Sequence, residues 1–410
     1  MQQAVVILDG ASGDPIPELD GRTSLEAAHT PNLDIIASAG MVGLMQNVPD
    51  GMESCSNVAC LSIVGYDPAA YPIGRGAIEG AALGIDLKPG QIAMRLNLCY
   101  VENDIMRSYS TDNISTEDGH ALAREIKEAL DDEVFTLYLG TSFRQILVVD
   151  GHRALMDLEY VQPHEISDEA VAGRDIPRPH EGETPEQRAA IAAITHYIDA
   201  ANRILAQSAV NARRVGEGLV PATNVWLFWP GERPDSMPTF LEAYGKRASM
   251  NSAVDLLDGI ALLTDMRTYK REGITDGPNN DFALQGRVGL EMLEDGADVV
   301  VIHVEAPDAA GHDGRPDEKV GGIEKSDTHI LGPLLEYART HSLRIAVMPD
   351  HPTPLTSRKH SYDSVPFAVM GPGIESNGAT RMTESQARAT GLTIERGYTF
   401  MKDVLLADGD

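Results

Sequence analysis

Residues 299–313 read VVVIHVEAPDAAGHD, and their reading decides the fold. Val299 to Glu305 is short, apolar and rich in β-branched residues, the composition of a strand buried on both faces. Asp308 and His312 follow at once. Two other runs repeat the plan. Ala4–Leu8 ends at Asp9-Gly10, and Arg344–Met348 is followed by Asp350-His351, with His360 nine residues on. Val42–Val48 and Pro366–Met370 read as further strands. Helical stretches alternate with them: Asn32–Ala39, opened by Thr30-Pro31 and closed by Gly40, then Ala283–Glu294 and Ile323–Arg339. The alternation predicts an α/β fold, a doubly wound, mostly parallel sheet with helices on both faces.

The middle of the chain breaks this rhythm. Strand-like pieces (Ile92–Leu98, Val134–Leu139, Gln145–Val149, Val225–Phe228) lie among the helical stretches Glu117–Leu130 and Glu186–Ala206. Residues 150–185, rich in Pro, His and Asp, read as irregular. An inserted α+β domain over residues 74–234 is expected. It interrupts a discontinuous domain of residues 1–73 and 235–410. A length of 410 residues suits two domains at roughly 100–200 residues each.

The 62 acidic and 33 basic side chains give a formal net charge of −29. That field repels a phosphate backbone and anionic membrane surfaces, so nucleic-acid and membrane partners are excluded. It does not exclude a small anion held by a local cluster of Arg. Most of the charge reads as a solvated surface. Cys55, Cys60 and Cys99 make no disulfide framework and no CxxC pair. The opening MQQAVVILDG lacks the basic and long apolar regions of a signal peptide, and no apolar run approaches the roughly 18–20 residues that span a bilayer. A reducing cytoplasm is the expected compartment.

Sites in open α/β sheets form at the carboxyl ends of the strands. Asp9, Asp308, His312, Asp350, His351 and His360 therefore converge at one edge. Each alone has an ordinary explanation as a turn, cap or surface residue. Six at three strand ends point instead to metal. Mixed oxygen and nitrogen donors suit two divalent cations of the Zn or Mn type better than Ca. Such a site needs a nucleophile. The segment MESCSNVACL (52–61) precedes a helix-like stretch, and a hydroxyl at a helix N-terminus gains from the dipole. Ser54 and Ser56 are both candidates there, and either could instead serve as a cap. Cys55 or Cys60 is a third option.

The sequence resembles the archaeal-type, cofactor-independent (2,3-bisphosphoglycerate-independent) phosphoglycerate mutases of the alkaline phosphatase superfamily. The motifs are ILDG (7–10), AHTPNLD (28–34), VGYDP (64–68), GRGAIE (74–79), QPHEIS (162–167), HVEAPDAAGHDG (303–314) and MPDHPTPLTSRKHSYDSVPF (348–367). They span nearly the whole chain. The resemblance implies an alkaline-phosphatase-like domain with a second domain inserted after the nucleophile. It implies one metal on Asp308, His312 and His360, and another on Asp9, Ser56, Asp350 and His351. The metals would be Mn, Zn, Co or Mg, with no bisphosphoglycerate cofactor. Ser56 is implied as the nucleophile, because the family's Ser-x-x-Ala segment aligns there. The implied reaction is ping-pong transfer between 3- and 2-phosphoglycerate in glycolysis and gluconeogenesis.

A small phosphorylated substrate needs cationic side chains, expected in an interdomain cleft. Candidates are Arg75, in what reads as a Gly-flanked turn, Arg144, Arg214, Arg233 and His164. Three departures touch this side. Ser56-Asn57-Val58-Ala59-Cys60 stands where the mutases usually read Ser-Asp-x-Ala-His, Ala309 replaces an acid, and Gln285 stands near a usual Lys. They raise an alternative: a homoserine-kinase-like branch of the same family, whose WSPG stretch resembles Trp229-Pro230-Gly231. A third reading is a metal-binding scaffold that has lost catalysis, against which all six ligands and Ser56 are present.

Overall fold

The computed structural model describes residues 1–180, 182–234 and 236–407. The chain forms two compact units, Met1–Pro72 with Ser236–Asp410, and Ile73–Asp235.

The first unit is built on an eight-stranded sheet. Its order is Arg267–Thr268, Ala248–Asn251, Val299–Val304, Gln2–Leu8, Leu343–Met348, Val365–Met370, Met41–Met45 and Thr393–Ile394. Every residue of Val299–Val304 and of Leu343–Met348 is buried, as central strands covered on both faces require. On one face, Val300, Ile302, Val304, Ala4, Val6 and Leu8 share a core with Leu33, Ile36, Val288, Met292, Ile323 and Leu334 from the flanking helices. Pairing is parallel except around Val365–Met370, which runs antiparallel to both neighbours. The sheet is therefore mostly, not wholly, parallel.

Two local expectations need correction, and one strand is not foreshadowed by the sequence. The expected helix Ile323–Arg339 begins earlier, at Pro316, with proline in its favoured first position. It is interrupted by a π turn at Asp327–Leu331 and resumes over Gly332–Ala338. At the break, the buried Asp327 carboxylate accepts the Leu33 N–H (2.7 Å) and the Asn32 amide (2.9 Å). The strand expected over Val42–Val48 ends at Met45, because Asn47 turns its amide to the Asp350 carbonyl, 2.8 Å away. Ala248–Asn251, too short and polar to read as a strand, pairs in parallel with Val299–Val304.

The second unit carries a five-stranded sheet. Gln91–Glu102 pairs antiparallel with Ile105–Ser108, Arg144–Asp150 and Asn224–Gly231, and Phe135–Tyr138 pairs with Arg144–Asp150. Thr116–Leu130 and Pro185–Gln207 pack Leu122, Ile126, Ile194 and Tyr197 against Ile92, Met94, Leu96 and Leu147. Among the described residues, no helix is long and apolar enough to cross a membrane.

Candidate active site

Register brings three strand ends level. Leu8 pairs with Val304, and Ile7 pairs with Met348. Asp9, Asp350 and His351 thus leave the sheet side by side. Asp308 and His312 sit one turn apart on the helix Ala306–Asp313 that follows the third strand. Gly10, at φ +59°, lets the loop after Asp9 lie against Asp308 and Thr353, where a Cβ would overlap both.

Donor atoms of Asp308, His312 and His360 lie within 4.8 Å of one another, as do those of Asp9, Asp308 and His351, and those of Asp9, His303 and Glu305. The histidine tautomers can be read from their outward contacts. His312 Nδ1 is 2.9 Å from the Arg358 carbonyl, and His360 Nδ1 is 2.9 Å from the Ser54 carbonyl. Carbonyls only accept, so each Nδ1 carries the proton and each Nε2 presents a lone pair. Those two Nε2 atoms are 2.9 Å apart, with Asp308 Oδ2 3.2 Å from His312 Nε2. Facing lone pairs beside a carboxylate need a cation between them.

The second cluster is equally short of positive charge. Asp350 Oδ1 accepts the Gly10 and His351 N–H groups, at 3.1 and 2.8 Å. Its Oδ2 faces His351 Nε2 at 3.2 Å and the Cys60 thiol at 3.8 Å. Burial, then the Asp350, Glu305 and Asp308 charges, push the Asp9 carboxyl well above the ordinary range. Burial and Asp308 likewise raise Glu305, to about 8. Burial lowers His351, and lowers His303 to about 4. Asp308 is the exception: its burial is outweighed by His312 and His360, which hold it below the usual range. Asp9 Oδ1 is buried without a hydrogen-bond partner among the described residues. Facing imidazole lone pairs, crowded carboxylates and an orphaned oxygen fit divalent cations.

Ser56 opens the helix Ser56–Ile63, with its Oγ 3.2 Å from His351 Nε2. Ser54 is spent elsewhere: its hydroxyl donates to the Ser361 carbonyl at 2.7 Å. Cys60 is wholly buried, and burial with the Asp350 charge pushes its thiol far from thiolate formation, which removes it as a nucleophile. Gln285 is also buried. Its amide N–H donates to the His303 carbonyl at 2.8 Å, and its oxygen accepts from Asn280 at 2.7 Å.

In the second unit, Arg75 does not lie in a turn. It opens the helix Arg75–Ala82, and Gly76 is needed because a Cβ there would strike the Ala93 and Trp229 carbonyls. Its guanidinium stacks 3.9 Å from the Trp229 ring centroid and pairs with Glu79 at 3.0 Å. Glu79 also pairs with Arg95, at 2.5 Å. The His164 ring lies 6.0 Å from Trp229, and its partial burial, with the Arg75 and Arg95 charges, lowers its pKa. Burial, then Arg95 and Arg75, also lowers Arg144, so these cations share one neighbourhood. Arg214 does not join them. It is buried, donating to Asp118 at 2.7 Å and to the Val220 carbonyl at 3.1 Å, an internal tie that explains its position without a ligand. Arg233 is half-buried and acts on Asp86, whose carboxyl Lys88 and then Arg233 hold low.

Sequence reasoning missed His303, Glu305, Arg95, Trp229 and Lys319. The first two were visible as the only polar side chains within the strand-like run 299–305. Trp229 adopts φ +49°, a strained setting for a bulky residue. Buried Lys319 donates to the Ser12 and Thr353 carbonyls, at 3.2 and 2.6 Å, and so ties together the loops after Leu8 and Met348.

A family model described as 2,3-bisphosphoglycerate-independent phosphoglycerate mutase matches residues 37–211. The enzyme of that name from Methanosarcina mazei is 36% identical over 371 residues, 90% of each chain. A solved structure of a Pyrococcus horikoshii protein gives a TM-score of 0.81 at 29% identity, covering 98% of this chain and 95% of that one. The cofactor-independent phosphoglycerate mutase of Thermoplasma acidophilum shares the fold, with a TM-score of 0.69 at 23% identity and coverage of 99% and 100%. None of these likenesses supports the homoserine-kinase alternative. At 36% identity over an alignment covering nine-tenths of both chains, this chain belongs to the 2,3-bisphosphoglycerate-independent phosphoglycerate mutase family.

Proposed function

We propose that the chain interconverts 3-phosphoglycerate and 2-phosphoglycerate through a phosphoserine at Ser56. The site would hold two divalent cations, one on Asp308, His312 and His360, the other on Asp9, Ser56, Asp350 and His351. The observation that carries the reading is the Ser56 hydroxyl at the head of a helix, 3.2 Å from His351 Nε2 in a carboxylate-rich pocket. A serine hydroxyl is a weak nucleophile at neutral pH. Bound divalent cations would lower its pKa and offset the charge of the phosphoryl group in transit.

Ser56 Oγ loses its proton and attacks phosphorus in line, and the bond to the C3 oxygen breaks. That oxygen takes up a proton, leaving bound glycerate and phosphoserine. The glycerate 2-hydroxyl then gives up its proton and attacks phosphorus, the phosphorus–Oγ bond breaks and Ser56 Oγ takes up a proton, which yields 2-phosphoglycerate and restores Ser56. The phosphoryl group never leaves the protein–substrate pair, so no bisphosphoglycerate is needed. Arg75, Arg144 and His164 are proposed to bind the substrate's carboxylate and phosphate, with Arg233 as a further cation in residues 74–234, the substrate-binding domain. Residues 1–73 and 235–410 are the metal-binding domain in this reading. The reaction belongs to glycolysis and gluconeogenesis, in the cytoplasm.

The test is to incubate the Mn-loaded full chain with 3-phosphoglycerate and follow phosphorus by NMR. Growth of the 2-phosphoglycerate resonance without added bisphosphoglycerate is expected, and ATP with homoserine should give no phosphohomoserine. Release of free phosphate alone, or a strict need for bisphosphoglycerate, would sink the reading.

A further inference from the structure

His303 is wholly buried in the strand next to Asp9's own, and no step above uses it. Its Nε2 lies 2.7 Å from Asp9 Oδ2. Its Nδ1 lies 3.0 Å from the hydroxyl of Ser252, which follows the strand Ala248–Asn251 on the other side. That hydroxyl oxygen accepts the Val254 N–H, also at 3.0 Å.

Donor and acceptor chemistry sets the direction of this chain. A neutral imidazole has one N–H and one lone pair, and a carboxylate only accepts. Holding a cation, Asp9 is ionised and only accepts, so the 2.7 Å contact then places the proton on Nε2. Nδ1 is then the acceptor, and the Ser252 O–H is its donor. Val254 N–H, Ser252 O–H and His303 Nε2–H point in sequence toward Asp9, and every group in the chain is satisfied. Asp9 Oδ2 is thereby occupied. Its other oxygen, Oδ1, has no hydrogen-bond partner among the described residues and lies 3.8 Å from His351 Nε2.

We propose that Ser252 and His303 are positioning residues: through the Ser252–His303–Asp9 chain they hold Oδ2 back and fix Oδ1 forward as a single-oxygen metal ligand. The proposal rests on the reading of Asp9 as a ligand. His303 neither binds metal nor touches substrate in it. The competing assignment makes His303 itself a ligand beside Asp9 and Glu305, whose Oε2 is 3.7 Å from Nε2.

Two amide substitutions separate these. The Gln amide reaches roughly where imidazole Nε2 sits, whereas the shorter Asn amide reaches only the Nδ1 position. Metal-stripped full-length variants would be titrated with Mn2+ by calorimetry. His303→Gln is expected to bind as many equivalents as the parent, each within about threefold in affinity. His303→Asn keeps the equivalents but weakens one of them by about 10–100-fold, the range for losing a partner behind a metal ligand. If Gln and Asn both bind like the parent, or both lose an equivalent, the proposal is overturned. Ser252→Ala covers the case in which His303→Asn does not fold. It should weaken the same equivalent, and 15N NMR should show His303 protonated at Nε2 in the parent loaded with diamagnetic Mg2+. A proton on Nδ1 overturns the relay. Asp9→Asn is the control. Parent-like binding in Asp9→Asn overturns the ligand reading together with this proposal, whereas weak binding in Asp9→Asn with parent-like binding in His303→Asn overturns this proposal alone.

Discussion

His312 Nε2 and His360 Nε2 stand 2.9 Å apart with both Nδ1 protons committed outward, to the carbonyls of Arg358 and Ser54. The pair is a cation receptor by construction. Without metal, a proton takes that role, and hydrogen bonding to Asp308 raises His312 to about 9.

This gives a signed pH prediction. A histidine whose folded pKa lies above its ordinary value contributes stability that is complete below about 6.5 and is lost as pH rises through about 9. In metal-stripped protein, the stability gap between the parent and His312→Gln should therefore shrink across that window. Mn2+ affinity of the parent should climb over the same range, because metal displaces a proton. Urea unfolding and calorimetry at pH 6, 7.5 and 9 check both. A gap that widens with pH would show that the proton is not held there.

The two serines should separate cleanly. Ser56→Ala is expected to lower kcat by more than about a thousandfold, the scale of removing a nucleophile. Ser54→Ala should stay active and lose about 1 kcal/mol of stability, since only its bond to the Ser361 carbonyl goes. Mass spectrometry after quenching with 3-phosphoglycerate should find phosphate on the parent and none on Ser56→Ala.

Two arginines of the second unit should differ in kind. Arg144 lies beside Phe143, its guanidinium 4.8 Å from the ring. Arg144→Met should cut kcat/KM by about 10–100-fold, the worth of one charge-assisted contact, and leave the melting temperature nearly unchanged. Arg214→Met should do the reverse. It breaks the buried tie to Asp118 and Val220, costing about 1–3 kcal/mol of stability, while the folded fraction keeps its kinetics. Equal loss of kcat/KM in both variants would return Arg214 to the substrate set.

How much of this was legible in sequence depends on burial. Ala4–Leu8, Val299–Ile302 and Ile345–Met348 announce themselves because central parallel strands bury both faces and so read as short unbroken apolar runs within Gln2–Leu8, Val299–Val304 and Leu343–Met348. Ala248–Asn251 did not, being four residues of mixed polarity, and Ser252 was hidden with it. Arg75 was misplaced because Gly74 and Gly76 look like turn residues. They serve close packing instead, against the carbonyls and backbone of Ala93, Trp229 and Pro230. Arg95 lies inside a long strand, where a lone charge gives no hint that Glu79 and Trp229 are its partners. Residue types at strand ends can be read along the chain, whereas partners made by folding cannot.

Lys319 offers the last prediction. Its ammonium group is fully buried and donates to the Ser12 and Thr353 carbonyls, holding together two loops that carry Asp9, Asp350 and His351. Lys319→Met leaves the Thr353 carbonyl unpaired, at about 1–3 kcal/mol, while the Ser12 carbonyl keeps the Thr353 N–H at 3.1 Å. The variant should unfold at lower urea, and its remaining folded fraction should bind Mn2+ more weakly, because one of the ties between the ligand loops is lost while the Thr353 N–H bond to the Ser12 carbonyl remains. Burial lowers Lys319 to about 8, below its ordinary 10.5. Between those values the unfolded chain holds the proton more tightly, so this residue adds stability as pH rises from about 8 to 10.5. Lys319→Met lacks that term, and the gap to the parent should therefore widen over this window, opposite in sign to the narrowing expected at His312. Parallel unfolding curves at pH 8 and 10 that keep the gap constant would show that the buried amine is not the titrating group.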